Sequence, residues 1–296
     1  MNELLQLLAN GLVTGSIIAL AAIGLSLVYG ILKIVNFAHG DFLTFGAFMG
    51  FVVNVTWDAP IPVAVVFAMT MTALLGLALE FTLWRPLRHK GAGLISLFIV
   101  SIGLALVLRH VIFLAWSARP RRYDVDVFQV YDLGVIRLSQ SQLVVIGVAF
   151  STITLVGLML ARTRLGKSMR ALSDNPQLAS AAGIDTDRVT AYTWLLGSAL
   201  AGVGGVLQAL VQNSFDPNMG FTLLLPIFAA VLLGGIGSAY GALAAGLFLG
   251  IVMEVATWDA LAGGVRAVYK PAVAFALLIV VLLVRPQGIF GRARTV

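Results

Sequence analysis

The chain has 296 residues, 60% of them hydrophobic and only 11% charged, with a mean hydropathy of +1.00 and a formal net charge of +6. One soluble domain of this length cannot hide that much apolar surface from water, so its outside must face lipid. The lack of cysteine excludes disulfides, thiolate catalysis and cysteine-ligated zinc, and basic residues clustered between apolar runs, with no continuous basic face, exclude nucleic acid as a partner.

Nine apolar segments follow one another at roughly 9–31, 40–56, 61–83, 92–115, 139–161, 190–211, 221–233, 240–257 and 270–284. A perpendicular span needs about 20 apolar residues, and several of these fall short. The expected fold is an all-α polytopic bundle of about 8–9 membrane segments, some short or re-entrant, in a single domain over 1–296. The first segment carries Glu3, no Lys or Arg, and no cleavage site before Ile31, so it reads as a span that stays. The run FTLLLPIFAAVLL at 221–233 is too short for a full crossing, and glycine-rich GGIGSAYGALAAG follows it. Unwound backbone at membrane depth must be buried in protein or line a wet cavity. The stretch from Gly234 to Gly241 is therefore either a break between half-helices or a tight interhelical turn.

Charge orients the chain. Loops at 32–39, 84–91, 162–189 and 285–296 hold Lys33, Arg85, Arg88, Lys90, Arg162, Arg164, Lys167, Arg170, Arg188, Arg285, Arg292 and Arg294, against the acids Asp174, Asp185 and Asp187. The positive-inside rule makes these loops cytoplasmic. Nine crossings then give an external N-terminus and an internal C-terminus, whereas eight would move one terminus to the other side. WRPLR at 84–88 and VRPQG at 284–288 each put a proline where a span is expected to stop, through either an internal repeat or chance.

Two hydrophilic stretches interrupt the pattern. The outer one, at about 116–138, mixes charges with β-branched and aromatic residues and is expected to form a small external hairpin. In the inner one, at about 162–189, Leu165, Met169 and Leu172 recur at helical spacing and SDNP breaks that helix. A second short helix over Leu178 to Ala182 is expected to stop at Gly183. Such a helix either caps the bundle or docks a partner.

Polar residues inside the spans are functional candidates because lipid penalises them. They are Asn36, His39, Asp41, Glu80, Gln208 and Glu254. Bland roles also exist: Asn36 and Asp41 can cap the second helix, His39 can be a hydrogen-bonded structural residue, and Glu80 can pair with Arg85 or Arg88. GGIGSAYG lacks the lysine and threonine of a phosphate-binding loop, so ATP hydrolysis by that route is excluded. The small-residue helices at 16–30 and 195–210 suit close helix packing.

Taken together, the motifs closely resemble the permease subunits of bacterial ATP-binding-cassette importers for branched-chain amino acids, in the LivH-like branch. The resemblance rests on GSIIALAAIGLSLVYGILKIVNFAHGDFLTFGAF at 15–48, LEFTLWRPLR at 79–88, GKSMRALSDNPQLASAAGID at 166–185, DPNMG at 216–220, VLLGGIGSAYGALAAGLFLG at 231–250 and RPQGIFG at 285–291. Phe81 departs from the arginine usual after the family's glutamate. The resemblance implies a multi-pass inner-membrane subunit with no catalytic site or bound cofactor. It also implies a LivM-like second permease, two cytoplasmic ATPases that use ATP and Mg, a periplasmic substrate-binding protein, and lipid around the bundle. The solute would be leucine, isoleucine or valine, or alternatively another small amino acid, urea or an amide. Gly166, Arg170, Asp174, Asn175, Leu178, Ala179, Ala182 and Gly183 would form the ATPase coupling loop. Leu178, Ala179 and Ala182 would supply its docking surface, with Arg170 and Asp174 fixing its geometry. Asn36, His39, Gly40, Asp41, Glu80, Gly234 and Gly235 are the candidate path or gating residues.

Overall fold

The computed structural model describes residues 2–125, 129–132, 134, 136–212, 214–259, 263–285 and 287–289. Arg292, Arg294 and the motif positions 286, 290 and 291 lie outside the described residues, as do 126–128, 133 and 135 of the outer stretch.

The bundle is helical. Its elements are α1 (Asn2–Leu32), α2 (His39–Phe51), α3 (Ile61–Leu79), α4 (Arg85–His89), α5 (Leu94–Trp116), α6 (Gln140–Arg162), α7 (Arg164–Asp174), α8 (Pro176–Ala181), α9 (Thr186–Gln212), α10 (Met219–Gly234), α11 (Ala239–Val255) and α12 (Lys270–Val284). A two-stranded antiparallel ribbon, β1 (Val130–Asp132) and β2 (Arg137–Ser139), pairs Tyr131 with Leu138. This is the expected hairpin. Among the described residues, six helical stretches are long and apolar enough to cross a membrane, and α10 and α11 are shorter apolar helices.

Helices α1 and α9 are apolar around most of their circumference, which is the signature of a fully surrounded helix. Both are almost entirely buried. Small residues let their neighbours approach: α11 runs antiparallel along α1, with Gly15 against Leu247 and Gly30 beside Gly237, and α3 runs along α9, with Gly202 against Thr72.

Two contact sets define the ends of the bundle. At one end, Ser173 Oγ donates to the Gly30 carbonyl (2.9 Å), Arg85 pairs with Asp187 (2.6 Å) and Ile289 N donates to Leu233 O (2.8 Å). At the other, Gln6 exchanges hydrogen bonds with the backbone of Arg137, and Glu254 accepts from Thr14 (3.1 Å) and Lys270 (2.6 Å). There the segment after α5 closes over α2. Tyr123 donates its hydroxyl to Ala47 O (2.7 Å), Asn54 Oδ1 accepts from Asp124 N (2.8 Å), and Arg121 bridges Phe215 through backbone hydrogen bonds. Burial pushes the Tyr123 phenol well above its ordinary range, so it stays a donor at physiological pH.

Helices α1 and α9 are each followed by a return, non-helical over 33–38 and 214–218, and a half-length helix. Helix α1 ends at Leu32 and α2 begins at His39; with the same spacing, α9 ends at Gln212 and α10 begins at Met219. His39 lies beside Ala21, about 16 Å back along α1 from Leu32 at 1.5 Å per residue, so α2 starts near mid-bundle. Gly220 touches Gly40, so α10 starts at the same depth. From there α2 runs to the Tyr123 end and α10 to the Gly237 end, an inverted arrangement of two interrupted helices.

One open alternative is decided and one expectation is corrected. The re-entrant break lies before Gly220, not at Gly234 to Gly241. That latter stretch is a tight turn in which Gly235 and Gly237 take φ of +92° and +82°, and Ser238 caps α11 through Gly241 N (3.0 Å). Nor does Pro86 stop its span. A π-helical turn over Glu80–Trp84 widens the ladder so that Arg85 N reaches Glu80 O, and the helix continues to His89. The wider turn accommodates the ring that an α-helical turn would force against the carbonyl four residues back.

Candidate functional site

The mid-bundle crossing gathers several of the sequence candidates. Asn36 is buried in the linker before α2, where its Oδ1 accepts from Ala38 N (3.1 Å). Ser101 of α5 pins this linker by accepting from Phe37 N (3.2 Å) and donating to Val35 O (3.1 Å). His39 Nε2 donates to the Ala21 carbonyl (3.0 Å), a structural role. Thr44 Oγ1 accepts from Gly220 N (3.0 Å), which satisfies one of the free amides at the start of α10.

Asp41 stands in the first turn of α2, where no side chain caps the helix. Its carboxylate accepts from Arg109 Nε (2.9 Å) and Nη2 (3.3 Å), across from α5. Asp41 is 1% and Arg109 12% exposed at the side chain. An isolated charge at this depth is prohibitively costly, whereas a bidentate pair satisfies both groups. The Arg109 guanidinium lies over the ring of Phe221, with Cζ 4.4 Å from the centroid. The sequence reading missed Arg109, Phe221 and Thr44. The available signal was Asp41 itself, which needed a basic partner from another span.

The remaining path candidates do not join this cluster. Glu80 sits in the π-helical turn, fully buried, and pairs bidentately with Arg88 of the same segment. Beside it, Trp84 stacks on Trp194 of α9, with centroids 5.3 Å apart. Gly234 packs against Gly241 inside the α10–α11 turn, and Gly235 is buried there too. Asn36, His39, Gly40, Asp41, Glu80, Gly234 and Gly235 are all buried within the chain.

The second site is the α7–α8 segment. Thr163 caps α7 by accepting from Gly166 N (3.1 Å), and a side chain at Gly166 would strike the Leu160 backbone. Arg170 donates to the Leu160 carbonyl. Asn175 Oδ1 accepts from Gln177 N and Leu178 N (both 3.0 Å), which starts α8 at Pro176. Gly183, at φ +83°, closes it. Leu178 is 67% exposed, and Ala182 is exposed. Ala179 is 3% exposed and packs inward, so it belongs under the surface of α8. Asp174 is exposed, and Asn175 rather than Asp174 fixes the turn. Asp187, just beyond in the first turn of α9, ties this segment to α4 through Arg85 (2.6 Å) and His89 (3.4 Å).

Comparison with known proteins gives these features a family. Residues 7–282 match the model described as branched-chain amino acid transport system / permease component. The chain is 34% identical to the high-affinity branched-chain amino acid transport system permease protein BraD of Pseudomonas aeruginosa, over 97% of this chain and 96% of that protein. It is 34% identical to LivH of Escherichia coli K12, over the same shares. It is 27% identical to a probable LivH permease of Methanocaldococcus jannaschii, over 97% and 92%. Among solved structures it resembles PsaBC from Streptococcus pneumoniae in complex with Fab, with a TM-score of 0.51 and 15% identity over 94% of this chain and 91% of that one. This last likeness concerns the fold alone.

Proposed function

This chain belongs to the family of branched-chain amino acid transport permease components, and from that premise we propose that it is a membrane subunit of an ATP-driven importer for leucine, isoleucine and valine. The observation that carries the transport reading is the pair of interrupted helices meeting at Gly40 and Gly220. Non-helical backbone at that depth is tolerated where it is buried or lines a solute path. The chain is a transport subunit, not an enzyme.

In this reading the whole chain is one permease domain crossing the bilayer nine times, counting α2 and α10 with their linkers. The end of α1 at Leu32 and Lys33 and the segments at 84–91 and 162–189 face the cytoplasm; the rest of the 32–39 stretch expected there runs back to mid-depth instead, beside Ala21, and the stretch at 116–138 faces outward. Helix α8 is the coupling helix, with Leu178 and Ala182 on its exposed side and Arg170, Asn175 and Gly183 holding its shape. A LivM-like permease would complete the path. Two ATPases, with ATP and Mg, would drive it from below, and a binding protein would deliver solute from above. ATP moves the permease pair between outward and inward openings only if docking contacts differ between the two states.

Another small amino acid, urea or an amide is the alternative cargo. A stand-alone proton-coupled carrier is disfavoured, because the buried acids among the described residues, Asp41, Glu80 and Glu254, are all held in ion pairs.

The test is reconstitution in nanodiscs with the second permease, both ATPases and the binding protein. Leucine-loaded binding protein should stimulate ATP hydrolysis. Hydrolysis that stays at the basal rate with all three branched-chain amino acids would contradict the substrate assignment.

A further inference from the structure

One face of the mid-bundle crossing is open in this chain. It carries Phe221, 49% exposed, beside the exposed Asn218 that precedes α10. Among the described residues no hydrogen bond occupies the Asn218 carboxamide, whose depth is set by the Gly40–Gly220 contact two residues on. A free carboxamide directed into hydrocarbon would be penalised, so this face is not a lipid face.

Arg109 lies behind Phe221. Asp41 takes Nε and one Nη2 hydrogen, while among the described residues Nη1 makes no hydrogen bond. The pair as a whole carries no net charge, so it can meet a zwitterion without a charge barrier. The unused edge of a planar guanidinium offers two parallel N–H groups, the geometry a carboxylate accepts. The Phe221 ring covers the other side of the cation and presents an apolar surface at the same place.

Resting on the importer reading above, we propose that Arg109, Phe221 and Asn218 line the translocation path at mid-depth. The free edge of Arg109 receives the carboxylate of the amino-acid solute, and the Phe221 ring receives its branched apolar side chain. Asp41 is a positioning residue, fixing the guanidinium so that this edge turns to the path.

The chain has no cysteine, which permits a direct test. Phe221→Cys and Asn218→Cys would be introduced singly into the assembled importer, both permeases with ATPases and binding protein, in nanodiscs. A charged, membrane-impermeant methanethiosulfonate would then be applied and modification of this chain read by mass. Both cysteines should react, and leucine-loaded binding protein with ATP should slow the reaction several-fold. Ile279→Cys, on the exposed face of α12, should stay unreactive as a lipid-facing control. In parallel, the neutral pair Asp41→Asn with Arg109→Gln removes both charges, with Asn matching Asp in size and Gln shorter than Arg. Leucine uptake per assembled complex, read in sealed proteoliposomes, should fall at least tenfold. Wild-type uptake by that pair would mean that the ion pair is only structural, and unreactive cysteines at both positions would mean that protein or lipid covers this face. Either result overturns the proposal. Failure of the importer reading looks different: the unmodified complex accumulates no leucine while the cysteines still label.

Discussion

Gly40 and Gly220 meet backbone to backbone, so that a methyl group on either would run into the carbonyl oxygen of the other. These two glycines open the two half-helices, which run from this point toward opposite ends of the bundle. Their contact sets the depth at which both chains are interrupted. It also brings two helix N-termini, each with partial positive charge, next to Asp41.

Gly220→Ala should therefore separate α2 from α10. Overpacking of this kind costs about 1–3 kcal/mol or more. The expected outcome is a lower thermal midpoint in detergent together with loss of transport, measured on the purified assembly. A midpoint and uptake equal to wild type would show that the crossing is looser than described.

Glu80→Gln should be among the most destabilising single changes. It leaves the largely buried Arg88 without its bidentate partner, and breaking a buried pair costs about 3–5 kcal/mol. The combined change Glu80→Gln with Arg88→Met should recover most of the loss. The double-mutant cycle read from chemical or thermal denaturation checks it.

On α8, Leu178→Asp and Ala179→Asp should separate docking from folding. Leu178 is exposed, so Leu178→Asp should leave the thermal midpoint of this chain unchanged but reduce co-purification of the ATPases and uptake by tenfold or more. Ala179 is buried, so Ala179→Asp places an unpaired carboxylate under the helix and should lower the midpoint itself.

Arg85 and Asp187 are each more than a third exposed, at 39% and 36% of their side chains, so solvent screens their attraction. Asp187→Asn should change stability by less than about 1 kcal/mol. The same pair joins α4 to the turn after α8, so leucine transported per ATP hydrolysed should fall. Simultaneous measurement of uptake and phosphate release checks it.

Much of this architecture was legible in the sequence. Long apolar runs marked the spans, SDNP and Gly183 bounded α8, and basic loops marked one end of the bundle. What escaped was relational. NFAHGD and DPNMG each occur where a helix restarts, but only the fold brings Gly40 to Gly220. Nothing local in the sequence ties Arg109 to Asp41; only the packing of α5 against α2 brings them together. Pro86 looked like a stop because propensity does not anticipate the π-helical turn that accommodates it. Ala179 looked like a docking residue because a short helix does not reveal from sequence which side faces the bundle.

The most direct test of the central claim is accumulation of radiolabelled leucine in proteoliposomes that hold this chain with its second permease and both ATPases. Binding protein is added outside, and ATP is enclosed with inside-out ATPases excluded. ATP-dependent accumulation above the external concentration, competed by isoleucine and valine, is the expected result. Equilibration without ATP, or no accumulation of any branched-chain amino acid by a fully assembled complex, would contradict it.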